Sequence, residues 1–114
     1  MAFPDEIIGR KVKVEGNDIL DPIVSGVIRG IDRNSQSLLL EFIPPIEIGT
    51  NSYPIAVAHP RLQGEDLMLF FNKGSSGFSV IFVPGERYDP AMPFDTTWWR
   101  GGGAMIANIK LIAP

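Results

Sequence analysis

Few residues in this chain could perform acid–base or metal chemistry. His59 is the only histidine among 114 residues, and there is no cysteine. Histidine-based catalysis would therefore depend on a single side chain. His59 alternates with Ile55 and Val57 in an apolar strand pattern, which favours a structural histidine. The lack of cysteine excludes disulfides, thiolate nucleophiles and cysteine-ligated zinc.

Three short motifs suggest catalysis or ligand binding but lack the defining spacing. "KGSSG" (73–77) sets its glycines around two adjacent serines, so it is not a nucleophile elbow. "GNDILD" (16–21) lacks the alternating ligands and final glutamate of a calcium loop. "GGG" (101–103) precedes a strand pattern and carries no lysine, unlike a phosphate-binding loop. We therefore interpret all three as turns, and we predict no cofactor and no metal.

Several carboxylates lie near predicted loops, and a pair of them could serve a small hydrolase. Their spacing selects no pair. We therefore expect a protein that is not an enzyme, with a carboxylate-dependent hydrolase as a further alternative. The carboxylates are Glu65, Asp66, Glu86, Asp89 and Asp95.

Aromatic and cationic residues make the strongest candidate binding group. In "FDTTWWRGGGAM" (94–105), adjacent residues of an extended chain point to opposite faces, so one tryptophan should enter the core. An outward tryptophan beside an arginine is typical of a binding hot spot. Alternatively, the arginine clamps that ring on the protein's own surface. The predicted partner-binding residues are Trp98, Trp99, Arg100, Tyr53, Arg61 and Tyr88.

Composition constrains the partners. The net charge is −3 and both signs are evenly mixed, so the basic block that nucleic-acid binding usually needs is missing. Hydrophobic residues make up 45% of the chain, a high share for a small domain, which favours a homo-oligomer. No uncharged run is long enough to span a bilayer, and the N-terminus lacks the apolar region of a secretory signal. We expect a soluble, cytoplasmic protein with no membrane contact.

Alternating apolar residues predict a mostly β fold in one domain, residues 1–114. Twelve glycines and ten prolines are spread along the chain and divide it into short elements. This pattern is typical of a small, strongly bent SH3-like barrel or sandwich of five to seven strands, with at most one or two short helices. Predicted strands cover 11–14, 23–32, 38–42, 53–60, 78–83 and 104–112.

The stretch 60–71 is open to two interpretations. Pro60 could begin a helix, although Gly64 would weaken its interior. Alternatively, the apolar run at 66–71 pairs with 78–83 across "NKGSSG" as a hairpin. That hairpin would be apolar on both faces, and a second subunit could cover the outer one.

The segments "IGRKVKVEG" (8–16) and "SGVIRGIDRNSQSLLLEF" (25–42) resemble the first three strands of Sm-like barrels, a branch of the SH3-like barrels. Gly9, Gly26, Gly30 and Asp32 match, and the resemblance covers about a third of the chain. It implies a highly bent barrel and, by analogy, rings that bind RNA. Gln36 stands where the family's RNA-contacting loop has asparagine, and the first connection is longer. The pair Arg100–Gly101 echoes the family's second motif.

These observations predict a non-enzymatic interaction module that binds a protein partner and self-associates. Its binding surface would combine the loop at 98–100 with the segment 67–83. A ring-forming, Sm-like binder of RNA or single-stranded nucleic acid is the alternative.

Overall fold

Six antiparallel strands close into a barrel in sequence order, with the last strand pairing with the first. The computed structural model describes residues 3–16, 24–61, 66–72, 77–85, 89, 91 and 104–112. The strands are β1 (Lys11–Gly16), β2 (Val24–Asp32), β3 (Ser37–Ile48), β4 (Asn51–Pro60), β5 (Phe78–Val83) and β6 (Ala104–Leu111). Two 3₁₀ helices, η1 (Asp5–Ile7) and η2 (Leu67–Asn72), complete the described elements. The prediction of a mostly β, small barrel is confirmed.

Alternation along the strands separates the barrel interior from its outer face. Val12 and Val14 of β1 are buried, whereas Lys11 and Lys13 are exposed, as the sequence pattern predicts. In β4 the small residues Ala56 and Ala58 face the core instead of the larger ones beside them. Small side chains fit there because phenylalanine rings fill much of a narrow barrel.

Three buried aromatic rings pack together where the N-terminal segment and η2 meet β5. The ring of Phe3 lies 5.6 Å from that of Phe71 and 6.5 Å from that of Phe78, and all three are buried. Arg33, in the turn between β2 and β3, donates hydrogen bonds to the Phe3 carbonyl and to the Asp5 carboxylate. The segment before β1 is therefore fastened to the barrel wall.

The segment 66–71 is neither a strand nor an α-helix, so the hairpin prediction for 67–83 is wrong. Asp66 starts η2, because its side chain accepts a hydrogen bond from the Met68 N–H at 3.0 Å. Helical spacing then buries Leu67, Phe70 and Phe71 together in the core. A period-2 strand would point the adjacent Phe70 and Phe71 to opposite faces.

Four apolar residues form a separate cluster outside the barrel core: Leu39, Ile55, Val57 and Val83. We call this the outer cluster. Each of its members is at most 7% exposed within one chain. The second apolar face of β5 therefore needs no second subunit to cover Val83. No helix in the described ranges has the length and apolar character of a membrane span.

Candidate functional site

Two of the six predicted binding residues can be placed. Tyr53 and Arg61 are described, whereas Tyr88, Trp98, Trp99 and Arg100 lie outside the described residues. Tyr53 is near the start of β4 and Arg61 directly follows its end. Eight residues of extended chain separate them by roughly 26 Å, so they do not share one small site.

Tyr53 is partly a core residue. It is half-buried, and its ring centroid lies 5.8 Å from that of Phe82. Arg61 is exposed, and its backbone N–H donates to the Gly77 carbonyl at 3.1 Å. The tyrosine ring is therefore only partly accessible to solvent, whereas the arginine is exposed.

A large bulge in β3 lies beside Tyr53. Glu41 pairs with Ile55, and the next pair joins Ile46 to Tyr53. Five steps along β3 thus oppose two steps along β4, which leaves residues 42–45 facing Pro54 alone. Proline cannot donate to a strand ladder, so Pro54 interrupts the pairing where the bulge forms.

The bulge projects apolar residues into solvent. The side chain of Ile43 is 74% exposed, the largest value among the exposed large hydrophobic residues that the structure describes. Pro44 and Pro45, which follow it, are exposed as well. Phe42, on the other side, is buried and anchors the bulge to the core. We call Ile43, Pro44 and Pro45 the bulge surface.

Sequence reasoning missed the bulge surface because it ended the strand before "IPP". Prolines usually mark a strand end, yet β3 continues to Ile48 on the far side of the bulge. One signal was available. Ile46 and Ile48 resume the period-2 pattern after the prolines, as expected of a strand interrupted by a bulge.

His59 belongs to a polar cluster at the other end of β3 and β4. Its Nδ1 is hydrogen-bonded to the hydroxyl of Ser37, which lies 2.8 Å from the hydroxyl of Ser35. Ser37 is fully buried. In a hydrolase triad the nucleophilic serine is accessible and contacts the other ring nitrogen, Nε2. The Ser37–His59 contact therefore ties two strands together instead of forming a nucleophile.

Two opposing influences act on the protonation of His59. Burial lowers the pKa of His59 below its ordinary value, and the negative charge of Asp32 raises it in part. Asp32 is itself buried, and its carboxylate accepts a hydrogen bond from the Asn34 N–H at 2.9 Å. The net lowering favours the neutral imidazole in the folded protein.

Two of the carboxylates considered for a hydrolase, Asp66 and Asp89, accept hydrogen bonds from nearby backbone N–H groups. Asp66 accepts from the Met68 N–H at 3.0 Å and Asp89 from the Ala91 N–H at 2.9 Å. Glu65, Glu86 and Asp95 lie outside the described residues. Within the described ranges, the histidine and acidic side chains form no group of three that could hold a metal.

Gln36, at the position where the Sm-like family contacts RNA, forms a hydrogen bond within its own turn. Gln36 has a positive φ of 54°, and its side-chain amide donates to the Arg33 carbonyl at 2.8 Å. An amide engaged in its own turn is less available to a base edge. The RNA-contacting role therefore gains no support at Gln36.

Comparisons with known proteins identify no relative. The chain matches no protein-family model, no curated protein and no solved structure. Functional inference therefore depends on the geometry of the described residues.

Proposed function

We propose that this protein is a non-enzymatic interaction module that binds a protein partner through the bulge surface. The observation that carries the proposal is the 74% exposure of Ile43 on a bulge whose next two residues are prolines. An exposed, contiguous apolar patch supports a protein interface. Prolines also restrict the chain before binding, which lowers the entropic cost of association.

The position of the bulge surface supports the same function. Phe42 anchors it in the core, and Glu41 beside it pairs with Arg29 at 2.6 Å. An apolar centre with a charged pair at its rim resembles the anatomy of protein interfaces. Tyr53, the predicted binding residue nearest to the bulge, adds a half-buried ring.

We further propose that the protein self-associates. Leu69 on η2 is 52% exposed and Ile106 on β6 is 37% exposed, and these two elements pack against each other. Two large apolar side chains on neighbouring elements support a contact between copies. Light scattering over a range of concentrations tests this, and a monomer at the highest concentration would contradict it.

The test of partner binding compares Ile43→Asp with a control, Thr50→Glu, in affinity capture followed by mass spectrometry. Thr50 is exposed in the turn between β3 and β4, so the control adds the same charge away from the bulge. We expect the wild type and T50E to retain a common partner that I43D loses. Equal capture by all three proteins would refute the role of the bulge surface.

Binding of RNA by a ring of Sm-like barrels is the second candidate. The closed barrel is compatible with this function. However, the Gln36 side chain is bonded to the Arg33 carbonyl, which disfavours the RNA contact that the family makes at this position. A salt titration of oligouridine binding separates the two candidates, because phosphate contacts weaken steeply with salt.

A further inference from the structure

Two lysines face each other on neighbouring strands of the barrel. Lys13 of β1 is paired directly with Lys110 of β6, and both side chains are exposed. Lys11 lies two residues before Lys13, on the same outward face, and is also exposed. We call Lys11, Lys13 and Lys110 the lysine face.

No lysine of this face takes part in either of the two salt bridges among the described residues. The nearest acidic residue along β1 is Glu15, two residues after Lys13. Like charges directly opposite each other on adjacent strands destabilise a sheet. In a chain with a net charge of −3, this local excess of positive charge is suited to an anionic ligand.

The spacing of the lysines fits an extended acidic peptide. Lys11 and Lys13 are about 6.7 Å apart along β1, the distance between alternate residues of any extended chain. Glu or Asp at every second position of a peptide would therefore follow the two lysines in register. Lys110 adds a third cation across the strand pair.

The surroundings favour a short peptide over a nucleic acid. Strands β1, β2 and β6 contain no aromatic residue on which a base could stack. Glu15 follows on the same strand, opposite Asn108, and places a negative charge at one end of the face. A long polyanion would have to pass this carboxylate, whereas a segment with two or three acidic residues would not.

We propose that the lysine face binds an extended acidic segment of a protein partner. The barrel is closed, so the segment cannot add as an edge strand and is held by side-chain charges. The lysine face belongs to β1 and β6, whereas the bulge surface belongs to β3. A negative result for the lysine face would therefore leave the proposal for the bulge surface unaffected, and the reverse also holds.

The test measures fluorescence anisotropy of a labelled peptide of four Glu-Thr repeats at low salt. Lys13→Gln and Lys110→Gln should each weaken binding roughly two- to fivefold. Arg33→Gln is the matched control, because it removes the same charge from a side chain already paired with Asp5, in the turn between β2 and β3. Binding to R33Q should equal that of the wild type, and a peptide of four Gln-Thr repeats should not bind.

Three outcomes would overturn the proposal. The first is no binding of the Glu-Thr peptide by the wild type. The second is an equal loss in R33Q, which would show attraction to overall charge only. The third is tighter, lysine-dependent binding of an oligouridine of the same length, which would make the face a nucleic-acid surface.

Discussion

The ring of Phe42 occupies the space where a side chain at Gly26 would begin. A Cβ built on Gly26 would lie 2.9 Å from Cε1 of Phe42 and 3.1 Å from the carbonyl oxygen of Glu41. The first of these neighbours is a fully buried ring, and the second is backbone. The ring of Phe42 can therefore lie against β2 only because residue 26 has no side chain.

Replacing Gly26 with alanine should destabilise the barrel. The added methyl group would force Phe42 or the backbone of β3 to move, at a cost of about 1–3 kcal/mol in the free energy of unfolding. Chemical denaturation measures this directly. Gly30→Ala is the control, because its Cβ would meet only Leu39 Cβ at 3.9 Å, an ordinary contact. Equal losses in both variants would disprove the steric explanation.

Reversing one charge of the lysine face should stabilise the protein. Lys110→Glu replaces a repulsive pair with an attractive one opposite Lys13, and we expect a gain of about 0.2–1 kcal/mol in unfolding free energy. Lys11→Glu is the control, since residue 11 faces Val27 on β2. The difference between the two variants should shrink in 1 M salt, where such charges are screened. A K110E protein that is less stable at low salt would contradict the prediction.

A substitution on the bulge surface should leave the stability of the fold nearly unchanged. Ile43→Asp changes a side chain that is 74% exposed, so its unfolding free energy should stay within about 0.5 kcal/mol of the wild type. Phe42→Ala, one residue earlier, should cost about 3–5 kcal/mol because it empties the core. Thermal denaturation followed by circular dichroism distinguishes the two. A strongly destabilised I43D would show that Ile43 serves the fold and not a partner.

Much of the barrel could be predicted because local alternation and barrel geometry agree. Lysines alternate with Val12 and Val14 in β1, and Met105, Ala107 and Ile109 share one face of β6. The inward side therefore follows from each strand alone. The glycines in β2 also indicated a bend, and the register of β2 against β3 shifts between Ile28 and Gly30. These features depend on residues close in sequence.

The features that were missed depend on partners distant in sequence. Pairing opposite Pro54 decides whether "IPP" ends β3 or bulges from it, and Pro54 lies ten residues after Pro44. The segment 66–71 has enough apolar residues for a strand, but as a 3₁₀ helix packed against β6 it buries Leu67, Phe70 and Phe71 together in the core. The contact between Ser37 and His59 spans 22 positions and leaves no local pattern.

Acid should weaken the fold through His59. Because burial lowers the pKa of His59 below 6.5, the unfolded chain binds more protons than the folded protein between the two pKa values. The unfolding free energy should therefore fall as the pH drops below about 6.5, by at most about 1.4 kcal/mol per pH unit, and this contribution should level off below the folded pKa. Urea titrations between pH 8 and 5 measure it. His59→Asn keeps a polar group near Ser37 but cannot titrate, so wild type minus H59N isolates the effect. A difference that is constant with pH, or that grows as the solution becomes more acidic, would show that folding does not favour the neutral imidazole.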